Sequence, residues 1–337
     1  MKLAPTLSAI LLAVSAGSAF AADLPSVKAP PPVYVAPPMW TGFYAGLNAG
    51  YGFGLSSNAT TVGNAYDQYY TSYFNQPGWP PLLVAGYGGL MAANSGNASL
   101  NQNGFIGGGQ IGYNYQWSPT IVIGVEADMQ GSAIRGSGGY TGVGQDLYSM
   151  GRMMLMPHGT RNSVGGGTIQ AGLDWFGTVR GRVGYLVTPT LLVFGTGGLT
   201  YGGAWANGNY TSTSAWCGTP TDACYGGMIT TPYSQIAVGS GRTSSTLVGW
   251  NAGGGFEWMF MPNWSLKAEA FYYDLGSMNL NGSAVAAVSN VAAHMGRAVP
   301  DAQMIFPTTR VRYDGVIARA GINYHFNWGA APGLTTY

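Results

Sequence analysis

Apolar residues recur at every second position in eight stretches of this chain: 42–54, 104–116, 120–130, 173–185, 190–201, 246–258, 264–274 and 312–326. A period of two places successive side chains on opposite faces of a β-strand. In the first stretch Phe43, Ala45, Leu47, Ala49, Tyr51 and Phe53 share one face, while Tyr44, Gly46, Asn48, Gly50 and Gly52 share the other. The apolar face returns as Ile121, Ile123, Val125, Ala127 and Met129, and again as Leu266, Ala268, Ala270 and Tyr272. The opposite faces carry Gln110, Asn114, Asn251 and most of the charged residues of these stretches. Residues 190–201 are apolar on both faces, so the pattern leaves their register open.

The connections alternate in length. Three are very short and each holds a proline: Trp117-Ser118-Pro119, Thr188-Pro189 and Met261-Pro262-Asn263. Four are long, Gly/Asn/Ser/Thr-rich and without clear periodicity: 55–103, 131–172, 202–244 and 275–311. Within the fourth, the Ala-rich run Val285–Met295 is a candidate short helix. Strands that are apolar on one face, joined by tight turns on one side and long loops on the other, predict an all-β fold. The form expected is an eight-stranded antiparallel transmembrane β-barrel with four long extracellular loops and three short periplasmic turns.

Composition sharpens this reading. Charged residues make up 7% of the chain, against roughly 25% in soluble globular proteins, so much of the surface needs a partner other than water. No run of eighteen apolar residues is present, which excludes helical spans and leaves the closed barrel as the spanning solution. The 55 glycines follow no G-X-Y period, so collagen is excluded. No basic cluster with interleaved aromatics points to nucleic acid.

The ends read as export machinery. Lys2, the apolar run Leu7–Val14 and Ala19-Phe20-Ala21 form a signal-peptide pattern over residues 1–21. Residues 22–39 hold Pro25, Pro30, Pro31, Pro32, Pro37 and Pro38, a proline-rich periplasmic leader. The barrel is expected over 40–326, followed by a tail over 327–337. Cys217 and Cys224, close together in a Gly/Ser/Thr-rich segment of an exported chain, are expected to form a local disulfide.

Charge on the inner faces is the candidate chemistry. Glu126, Asp128, Arg180, Arg182, Lys267, Glu269 and Arg319 all have inward parity and fall at similar distances from the strand ends. They are expected to form a lumenal charge network, with Arg182, Arg319 and Glu126 as its ion-paired centre, because unpaired charges in a narrow lumen are costly. A lumen of this size is just wide enough to be filled by side chains. A plugged lumen is the leading expectation, with a narrow water path and a transient charge-switched opening as alternatives. Tyr51, Trp117, Trp175, Trp258, Trp264 and Tyr324 are placed outward as interfacial girdles. No enzyme is expected: there is no G-x-S-x-G segment, and His158, His294 and His325 read as solvated or loop-packed. No cofactor or metal site is read.

The chain resembles the rhizobial and brucella-type outer-membrane β-barrel family, the 25/31-kDa surface proteins of alphaproteobacteria. The resemblance rests on Ala21–Pro25, Trp40–Gly52, Gly107–Gln116, Ile123–Asp128, Gly177–Tyr185 and Arg319–Phe326. It implies an outer-membrane location, lipid neighbours and insertion by the barrel-assembly machinery, with Gly321, Tyr324 and Phe326 as the recognition signal. Members are described as abundant envelope proteins, some as porins, surface antigens or haemin binders. The chain departs from the family in its tail beyond Phe326 and in the length of its loops. The function expected is a structural and surface role in the envelope. A narrow porin for small solutes and loop-mediated binding of a surface ligand or host partner are the alternatives.

Overall fold

The structure, a computed structural model, describes residues 40–56, 58–67, 88–148, 159–218, 233–289, 293–294, 297–298 and 301–326. Its elements are β1 (Gly42–Gly54), β2 (Asn58–Asp67), α1 (Gly88–Ala93), β3 (Gly96–Ser99), β4 (Asn103–Gln116), β5 (Ile121–Tyr148) and β6 (Gly159–Thr188). There follow β7 (Leu191–Gly218), β8 (Tyr233–Met261), β9 (Trp264–Asn281), β10 (Val285–Ser289), β11 (Ala293–His294), β12 (Arg297–Ala298) and β13 (Asp301–Phe326). Signal segment, leader and tail lie outside the described residues, as do Cys224 and His158. Cys217 falls at the end of β7, so the expected disulfide is not described.

The sheet is antiparallel throughout and closes on itself. β1 pairs with β4, each strand from β4 to β9 pairs with the next, β9 pairs with β13, and β13 returns to β1. Closure gives each of these eight strands a neighbour on both sides at the level of the ring, as hydrocarbon demands. The register sets Leu47 opposite Ile322 on the outside and Gly50 opposite Arg319 on the inside. Gly50 is required there, since a Cβ would stand 2.3 Å from the Ala318 carbonyl oxygen.

Outward residues at this level are apolar and bare: Phe105 is 73% exposed, Leu47 69% and Val248 66%. An apolar band of this extent is stable against lipid and not against water. Aromatic pairs mark its limits, Tyr51 with Phe105 and Trp175 with Tyr201 on one side, and Trp264 with Tyr324 on the other. The short connections 117–120, 189–190 and 262–263 lie at the second limit.

Beyond the first limit the structure corrects the expectation of long loops. β5, β6, β7 and β8 continue as paired strands to Tyr148, Gly159, Gly218 and Tyr233. The Ala-rich run expected as a helix begins with β10, which pairs with β13. The helix lies instead at α1. β2 continues upward beside β13, and β3 pairs with β2. In this extension the polarity inverts. Ile134, Ile169, Leu173, Ala204, Tyr210 and Leu280 now point inward and are buried, together with Leu90, Ala98 and Leu100 from the α1–β3 segment. The changeover coincides with irregularities in register at Gly131/Ile134, Leu173/Trp175 and Arg312/Asp314, and with Gly276 at φ 79°. Each is a bulge that re-aims side chains where the wall passes from lipid to water.

Candidate functional site

Along the membrane-level wall, alternate residues of each strand point into the lumen, where their side chains are buried. The sequence places charge there on five strands, and the structure brings all seven expected residues together. Glu126 and Asp128 come from β5, Arg180 and Arg182 from β6, Lys267 and Glu269 from β9, and Arg319 from β13. Glu257 of β8 joins them, giving four carboxylates and four cations whose side chains are no more than 2% exposed.

The pairing is dense. Lys267 Nζ donates to both oxygens of Glu126 at 2.6 Å. Arg180 donates to Glu126, and through both terminal nitrogens to Glu269 at 3.1 Å. Arg319 donates from Nε to Glu269 at 2.6 Å and from Nη2 to Asp128 at 2.7 Å. Thr178 adds a hydroxyl donor to Asp128 at 2.6 Å. Such forked, charge-assisted bonds offset the large cost of removing eight charges from water.

Around Glu126 the closest partners are Lys267 and Arg180, and Arg182 and Arg319 also pair with it at 3.6 Å. Arg182 donates besides to Glu257 at 2.6 Å, and reaches Glu126 a second way through Tyr44. The Tyr44 hydroxyl accepts from Arg182 at 3.0 Å and donates to Glu126 at 2.5 Å. Glu257 was legible in principle: the hairpin register about the proline turn sets it directly opposite Lys267. Tyr44 carries no such sequence signal, since an inward tyrosine reads as filler.

The expectation for His325 is corrected. It is buried, its Nε2 lying 2.9 Å from Ser265 Oγ and 3.3 Å from Glu257. Ser265 and Asn323 donate to Glu257 at 2.6 and 2.7 Å. Inward aromatics floor the cations. The guanidiniums of Arg180 and Arg319 lie over Phe271 at 4.8 and 5.1 Å, and that of Arg182 over Phe194 at 4.3 Å.

Apolar layers close the charged one on both sides. Toward the short turns, Trp40, Val122, Leu186, Leu192, Phe194 and Met259 cluster, with Trp40 fully buried. The Trp40 indole donates to the Pro189 carbonyl at 3.1 Å and meets His325 edge-on. Toward the extension lies the larger cluster around Phe176, Phe271 and Tyr273. Among the described residues no group of three or more His, Cys, Asp or Glu side chains is arranged to hold a metal ion. On the outer wall, Tyr324 packs against Trp264 and Phe326 at 5.1 and 5.0 Å, while Gly321, on the inner face, sits against Leu47 and Asn48 of β1.

No protein-family model matches the chain. The 31 kDa outer-membrane immunogenic protein of Brucella melitensis biotype 1 is 31% identical over 276 residues, 81% of this chain and 87% of that protein. Its namesake in Brucella suis biovar 1 matches equally. A 22 kDa outer membrane protein of Rhizobium leguminosarum bv. viciae is 32% identical over 116 residues, 34% of this chain and 41% of that one. Among solved structures, the outer membrane protein OprG of Pseudomonas aeruginosa covers 85% of this chain and 96% of its own at 9% identity, with a TM-score of 0.29. Overlap at that level is too small to bear on function.

Proposed function

This chain belongs to the alphaproteobacterial outer-membrane protein family that includes the Brucella 31 kDa outer-membrane immunogenic proteins, and from that premise we propose an eight-stranded barrel with a closed lumen, serving a structural and surface role in the envelope. The short turns face the periplasm and the polar extension stands outside the cell. One observation carries the reading: eight lumenal charges are paired with one another and shielded from solvent between two apolar layers. A conducting path needs a continuous file of water, and these charges face each other instead.

The reading also makes the chain a non-enzyme. Ser265, His325 and Glu257 share a cluster, but one ring nitrogen of His325 meets both partners. A nucleophile–base–acid relay uses the two ring nitrogens separately. Proteoliposomes swelling in urea and arabinose test the function. The expected swelling rate is that of empty vesicles, and a rate rising with protein content would support the narrow-porin alternative.

A further inference from the structure

Above the apolar band, the outward face of β5–β8 is a four-strand sheet in contact with whatever surrounds the extension. Among the described outward positions of 135–145, 162–174, 205–213 and 236–244 the charged side chains are Arg135, Asp174 and Arg242. The first two pair with each other at 3.8 Å beside Trp205, at the lower edge of the face, and leave Arg242 as the charge in the rows above them. Water-facing surfaces of soluble proteins carry roughly 25–35% charged residues. Here the register rows are amides and hydroxyls instead. Ser137, Gln170 and Asn207 form one row, and Thr168 and Asn209 stand side by side in the next. Between them and Thr141 and Thr211 lies a groove of about 420 Å³, floored by Gly139 and Gly166. Val143, Val164 and Ile236 border it on the far side, 75%, 54% and 75% exposed.

A surface that offers neutral donors and acceptors, a glycine-floored groove and a few apolar contacts complements an uncharged polyol. Position selects its source. The face points radially outward just above the lipid band, where the neighbours are headgroups of outer-leaflet lipids. We propose that the outward face of β5–β8 binds the neutral oligosaccharide of outer-leaflet glycolipids, with Thr168 and Asn209 at its centre. This rests on the orientation proposed above. Labelling of a Thr60→Cys protein, at an exposed position of β2 away from this face, with Cys217 and Cys224 replaced by Ser, by an impermeant maleimide on intact cells checks that orientation separately. Absence of labelling would overturn both.

The binding test uses the folded barrel in phosphatidylcholine nanodiscs of three compositions. One is phosphatidylcholine alone, one adds a glycolipid with a neutral oligosaccharide, and one adds the same lipid stripped of its sugars. The unfolding midpoint should rise by several degrees only with the sugar-bearing lipid. Thr168→Glu, and separately Asn209→Glu, should abolish that rise while leaving the midpoint in phosphatidylcholine unchanged. No rise, an equal rise with the stripped lipid, or a rise that survives both substitutions would overturn the proposal.

Discussion

Glu126 holds three donors at once, Lys267, Arg180 and Tyr44, at the middle of a lumen without water-facing charge. Glu126→Ala leaves two cations short of an acceptor, and breaking a buried pair this way costs about 3–5 kcal/mol. The midpoint of the heat-modified gel shift should fall accordingly, and a wild-type midpoint would remove the network from the account of stability. Replacing both members, Glu126→Gln with Lys267→Met, should cost less than Glu126→Ala alone, because no charge is then stranded. Tyr44→Phe deletes one bridge and should cost about 1–3 kcal/mol by the same measurement. Inward parity alone made the seven charges legible in the sequence. Their pairing was not, because partner choice depends on how strands across the lumen face one another, which no local pattern encodes.

At the level of elements, the membrane strands could be read because lipid outside and polar lumen inside impose a sharp alternation. The extension escapes that reading. Its inward positions on β5 include Gly136, Gly138, Gly142 and Gly144, which give no hydrophobic period. They are small because the α1–β3 segment lies against them: a Cβ on Gly144 would stand 1.8 Å from the Gly89 carbonyl oxygen, and one on Gly142 2.5 Å from that of Ala93. Asp146 fixes the segment further by accepting from Gly89 and Leu90 N–H groups at 2.5 and 3.0 Å. Gly144→Ala should therefore unseat α1 and expose residues 88–102 to limited proteolysis, with the membrane strands still folded. Tyr140 packs beside this segment and donates to the Asn94 carbonyl at 3.1 Å, and burial pushes its hydroxyl up to about 12. The folded state therefore keeps a proton that an unfolded tyrosine loses near pH 10. Its stabilising contribution is constant below pH 10 and declines as pH rises toward 12. Protease sensitivity of the segment should rise over that interval, and Tyr140→Phe should reduce the rise.

The described barrel is a stack of layers: a tryptophan-capped apolar floor, a neutralised charged layer, and an apolar core roofed by the extension. The closing seam is β1 with β13, whose last residue Phe326 sits opposite Phe43. If Gly321, Tyr324 and Phe326 guide assembly, Phe326→Ala should lower the amount of inserted protein in outer-membrane fractions without changing the midpoint of what does insert. The closed lumen itself is tested most directly by single-channel recording of the refolded barrel in planar bilayers, with the heat-modified gel band confirming the folded state. Inserted protein and a silent bilayer are the expected result. Steady current steps that scale with salt concentration would contradict it.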